Sequence, residues 1–141
     1  MIPHTQAFLN DPENGQRGDC WRTAVACVLD VERDLVPHVN EENVDLINGT
    51  MKEYLASQGY SLMQLPLHET SFPTLEKVLA WMEVLNPDVT YFLSGLSKRG
   101  WNHVVICRGG EVIWDPHPSR DSIEKPDNGC WHIEAITRRS V

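Results

Sequence analysis

Asn14-Gly15-Gln16-Arg17-Gly18-Asp19-Cys20-Trp21-Arg22-Thr23-Ala24-Val25-Ala26-Cys27-Val28-Leu29 is a polar, glycine-bearing loop that runs into an apolar helix, with a cysteine at the junction. Trp21, Ala24, Val25, Val28 and Leu29 recur at helical spacing and define one apolar face. Asp19 precedes the first helical residue, and its carboxylate is expected to accept from the free amides of the first turn as an N-cap. Cys20 then sits where the helix dipole and those amides favour an anion, which lowers a thiol pKa and makes a nucleophile. A small core cysteine is the competing reading of the same residue.

The rest of the chain sets bounds on what that helix can belong to. With 141 residues, 41% hydrophobic and 23% charged, a single domain over 1–141 with a real core is expected. A net charge of −8 argues against a nucleic-acid or anionic-membrane surface, both of which call for a basic patch. No apolar run approaches the length of a membrane span, and Met1 to Gln6 lack the features of a signal peptide, so a cytoplasmic location is expected. Cys20, Cys27, Cys107 and Cys130 form no C-x-x-C pair. Cys20 and Cys27 stand two helical turns apart, so reduced thiols are expected.

Downstream, Val31 to Pro37 suggests a short turn and Asn40 to Ile47 a short exposed helix. Thr50 to Ser57 reads as a helix closed by Gly59. Tyr60 to Leu65 alternates as a strand that Pro66 should end. Phe72-Pro73-Thr74 opens a helix with Leu75, Val78, Leu79 and Met82 on one face. Strands are expected at Val89–Leu93, His103–Cys107, Glu111–Asp115 and Cys130–Ile136. Helices first and antiparallel strands second make an α+β plan.

A cysteine nucleophile needs a base, and the base needs a group that holds its tautomer. His103 opens a strand and Asp115 closes the next one. If Arg108-Gly109-Gly110 is a three-residue hairpin loop, Cys107 pairs with Glu111 and His103 faces Asp115. A two-residue Gly-Gly turn would instead put them on opposite faces. Taken singly, His103 reads as a rim histidine and Asp115-Pro116 as a turn. Together with a helix-borne cysteine they make a candidate triad.

Gly18-Asp19-Cys20-Trp21 entering a small-residue helix resembles the nucleophile segment of papain-like cysteine peptidases. His103-Val-Val-Ile-Cys…Val112-Ile-Trp-Asp115-Pro116 resembles the histidine and aspartate strands of their bacteriocin-processing branch. The whole also resembles small papain-like proteins common in phage and bacterial genomes. The resemblance implies a papain-like fold, with the nucleophile helix packed on a C-terminal antiparallel sheet. It implies Cys20 as nucleophile, His103 as general base and acid, and Asp115 as the orienting group. A side-chain amide upstream of the cysteine would stabilise the oxyanion. The family's six-residue spacing lands on Asn14, where the family usually has glutamine; Gln6, farther upstream, is the second candidate.

The function so implied is a thiol hydrolase, a peptidase or amidase acting on a peptide or amide substrate through a thioester, without a cofactor. Two alternatives stand beside it: a binding or inhibitory module on the same fold, and an acyl transferase with the same trio. Cys20, His103, Asp115 and His117 could also be drawn as a zinc set, but no close ligand pair supports one, so no metal is expected. His117-Pro118-Ser119 is expected to shape a rim or touch substrate. Trp21, Trp101 and Trp114 are expected to pack nearby.

Overall fold

A computed structural model describes residues 1–140. Its helices are α1 (Cys20–Leu29), α2 (Val44–Ser57) and α3 (Leu75–Leu85). Its strands are β1 (Tyr60–His68), β2 (Thr90–Leu96), β3 (Asn102–Arg108), β4 (Glu111–Trp114) and β5 (Cys130–Arg138). All five join one antiparallel sheet in the order β1-β5-β2-β3-β4, so the last strand of the chain inserts between the first and second. The fold class is α+β.

Side-chain alternation along β2 and β3 divides the core in two. Phe92, Val104 and Ile106 turn toward Ala24, Val25, Met51 and Leu55 of α1 and α2. Tyr91, Leu93, Val105 and Cys107 turn to the other side, under Val78 and Met82 of α3. With both faces covered, the central strand carries a continuous apolar run instead of an alternating one. Helix α1 is more enclosed than a single apolar stripe implies: Thr23, Ala24, Val25, Ala26 and Cys27 are all buried. Small side chains at Ala24 and Ala26 let its backbone lie close to its neighbours.

Three local expectations need correction. The two helices expected at Asn40–Ile47 and Thr50–Ser57 are one helix, α2, which starts where the Asn43 side chain accepts from Leu46 N. Gly49 inside it costs about 1 kcal/mol relative to alanine, a penalty overridden by the burial of Met51 and Leu55. Strand β1 does not stop at Pro66 but runs through it to His68, pairing Pro66 with His132. An edge strand tolerates a proline because one side of it needs no donor.

The third correction concerns the hairpin that carries His103 and Asp115. Its turn is the two-residue Gly109-Gly110, with Arg108 opposite Glu111 and Cys107 opposite Val112. Gly109 has φ +54°, and an added Cβ there would meet the Pro87 carbonyl at 2.6 Å, so only glycine fits. A β-bulge then shifts the register, so that Ile106 faces Trp114. The bulge absorbs Ile113 as the extra residue and restores the parity that the shorter turn had reversed. His103 and Asp115 therefore share a face after all, as diagonal neighbours and not as direct partners. Chain count and turn type compensate each other.

Candidate active site

Cys20 opens α1 and is partly exposed. Asp19 before it does not cap the helix: its backbone is not extended and its side chain makes no capping bond. Its carboxylate, 1% exposed, reaches backward instead. Oδ1 accepts from Phe8 N at 2.8 Å, and Oδ2 accepts from Ala7 N at 3.2 Å and from Arg22 Nε at 2.9 Å. The first-turn amides are thus left to the helix field, and the aspartate ties the N-terminal arm to the start of α1.

His103 and Asp115 are almost completely enclosed, at 3% and 4% exposure. His103 Nε2 lies 2.6 Å from Asp115 Oδ1, and the ring is close enough to the Cys20 thiol for each to shift the other's titration. Strand β4 pairs only with Ile106–Arg108 of β3, leaving the start of β3 unpaired on that side. The Val104 backbone stands beside the Cys20 sulfur and favours its anion. Asp115 is fixed in turn by His117 N at 2.8 Å on Oδ1 and Ser122 N at 2.7 Å on Oδ2. The loop that supplies them holds Arg120 and Ser122 at φ 56° and 68°, a strained conformation for non-glycine residues.

Charge follows from this geometry. Burial works against every charged form, but the three groups outweigh it for one another. Burial alone would depress His103, yet hydrogen bonds to Asp115 and Cys20, and their charges, raise it to about 9. Burial would raise the Cys20 thiol; the hydrogen bond and positive charge of His103, then the Val104 backbone and Arg17, bring it below its ordinary value. Asp115 is likewise driven up by burial and brought down further by His103 and the His117 and Ser122 amides. Each group is thus shifted toward its charged form: Cys20 toward thiolate, His103 toward imidazolium and Asp115 toward carboxylate.

The line opens on a groove of about 940 Å³. Gln6, Cys20, Trp21, Trp101, His103 and His117 are among its walls. Gln6, the second amide expected from the sequence, is buried, and a Cβ on Gly18 would lie 3.4 Å from its Nε2. That amide passes directly beside the residues leading into Cys20. Its Nε2 donates to the Phe8 carbonyl at 2.7 Å, while its buried Oε1 has no partner among the described residues. Asn14, the first amide expected, is placed elsewhere: it ends an exposed 3-10 turn and donates through Nδ2 to Asp11 Oδ2 at 2.7 Å. Asn14 does not line the groove. The shorter spacing selected a turn residue, as Asn-Gly commonly is.

Residues that sequence reasoning passed over hold Gln6 in place. Gln6 N donates to the Pro116 carbonyl at 2.9 Å. Arg120 lies over the Trp114 ring at 4.2 Å and donates to Thr5 Oγ1 at 2.7 Å and to the Asp115 carbonyl at 3.0 Å. Arg120 on one side and Asp19 on the other clamp the arm that bears Gln6. Nothing in the sequence pairs Arg120 with Thr5, because their contact spans nearly the whole chain. His117 meets His103 edge to face at 5.9 Å and lines the groove. Trp114 packs against the α1 core, whereas Trp101 is 44% exposed at the groove.

Among the described residues no group of His, Cys, Asp and Glu is arranged to hold a metal ion. The cysteines Cys20, Cys27, Cys107 and Cys130 are all unbridged. Among those residues, too, no helix is long and apolar enough to cross a membrane. Comparison of the chain with known protein families, with curated proteins and with solved structures gave no match.

Proposed function

We propose that this chain is a papain-like thiol hydrolase acting on peptide or amide bonds. The observation that carries the reading is the line from Cys20 through His103, which is hydrogen-bonded to Asp115, each group shifted toward its charged form by the others and the line open to a groove. The Cys20 thiolate attacks the substrate carbonyl carbon, and the carbonyl electrons move to oxygen. The Cys20 backbone N–H and the second Nε2 proton of Gln6 stabilise that oxyanion. His103, already protonated, gives its proton to the departing amine as the C–N bond breaks, leaving a thioester on Cys20. Neutral His103 then takes a proton from water, whose oxygen attacks the thioester. The acid departs and the thiolate–imidazolium pair is restored. Asp115 keeps the ring oriented and stabilises its positive form throughout.

A binding module on the same scaffold is the second reading. One observation favours it: Gln6 already spends one amide proton on Phe8. Transfer of the acyl group to an amine uses the same residues and differs only in the acceptor that enters. The test is incubation of a mixed peptide and amide library with the wild-type chain and with Cys20→Ala. Cleaved products that require Cys20, with an acyl adduct on its peptide after acid quench, are expected. Retention of intact library members by both proteins, without turnover, contradicts the enzyme.

A further inference from the structure

The groove beside Cys20 contains a carboxylate that the hydrolytic scheme does not use. Glu134 lies on β5 directly opposite Gln64 on β1 and beside Phe92 on β2, so it belongs to the sheet face against which α1 packs. It is 6% exposed and still lines the groove. Gln64 Nε2 donates to its Oε2 at 2.6 Å, and the indole of Trp21, the residue after the nucleophile, stands against the same carboxylate. Both neighbours are neutral. Among the described residues no salt bridge reaches Glu134; Lys52, exposed on α2, acts on it only through space. The arginines of the groove are engaged elsewhere, Arg17 by the Val39 carbonyl and Arg99 by Ser119.

A buried carboxylate with neutral neighbours is costly unless a cation completes it. Burial does push the Glu134 carboxyl up, against the hydrogen bond from Gln64 and the nearby Trp21 indole. A cation arriving from the groove would restore its charged form. We propose that Glu134, with Gln64, forms a subsite for a basic side chain, lysine or arginine, flanking the bond cleaved at Cys20. This rests on the hydrolase reading and adds the substrate class to it.

The test uses chloromethyl ketones of one peptide sequence ending in lysine, norleucine or glutamate, with iodoacetamide as a small neutral reagent. Rates of Cys20 alkylation are measured on the wild-type chain, Glu134→Gln and the remote surface variant Glu76→Gln. The lysine reagent should react about tenfold faster than the norleucine one, and the glutamate reagent slowest. In Glu134→Gln that preference should vanish while the iodoacetamide rate stays unchanged; in Glu76→Gln it should persist. A wild-type chain that treats lysine and norleucine alike overturns the subsite, as does a preference that survives Glu134→Gln or disappears equally in Glu76→Gln. If iodoacetamide also fails to alkylate Cys20, the nucleophile itself is wrong and the subsite falls with it.

Discussion

Around the start of β3 three side chains share one balance of protons, with His103 coupled to both of the others. His103 is the hinge of that balance, since it touches both anions. Asp115→Asn keeps a similar shape but removes the charge, so the His103 ring should titrate well below its value of about 9, read by NMR of the imidazole protons. Turnover of a substrate found by library screening should fall by about 10²–10⁴ in the same variant, through loss of orientation and of charge. Gln6 acts at a different atom. Gln6→Ala should leave the alkylation profile of Cys20 in place and lower turnover by about 10²–10³, the cost of one oxyanion donor. Asn14→Ala, on its exposed turn, should alter neither. A pair of kinetic and alkylation curves for these two variants separates their roles.

At the scale of elements, the hairpin of β3 and β4 brings His103 to Asp115 only because a short turn and a bulge cancel. Inserting one alanine between Trp114 and Asp115 leaves the bulge in place and moves Asp115 to the opposite parity. The insertion should abolish the His103–Asp115 bond and return the His103 pKa from about 9 toward the ordinary histidine range, while far-ultraviolet circular dichroism keeps the sheet signal. A ring still titrating near 9 would show that register is not what aligns the pair. The residues of this pair were legible in the sequence, because a histidine opening one strand and an aspartate closing the next must meet near a hairpin's open end. The turn was not, since Gly109-Gly110 serves loops of either length and the choice is made by contacts with Glu83 and Pro87. Asp19 shows the same limit: its position predicts a cap, yet the Ala7 and Phe8 amides compete for its oxygens across the chain. The helices of Cys20–Leu29 and Leu75–Leu85 announced themselves by local period. Gln6 was reached only as the second amide, while Arg120 and Glu134 had no local signal, since each matters only through distant partners.

For the molecule as a whole, the buried triad links stability to pH. His103 is raised in the folded chain from 6.5 to about 9. Its contribution is therefore complete below about pH 6.5 and lost as pH rises through about 9, on the order of 3 kcal/mol. Asp115 is lowered, so its contribution is present above the ordinary carboxylate range and lost as pH falls through its folded value. The Tm of the wild-type chain should exceed that of His103→Ala most between these limits, and the difference should shrink above about pH 9; a constant difference across that range would contradict the linkage. The helix–sheet layering sets these values, because only its burial makes the three groups depend so strongly on one another. The most direct test of that dependence is the pH profile of Cys20 alkylation by iodoacetamide, in the wild-type chain and in His103→Ala. The wild-type thiol should titrate well below the unperturbed value of about 8.5 and rise toward or above it without His103. A thiol near or above about 8.5 in both proteins would contradict the ion pair and leave Cys20 a packing residue at the end of α1.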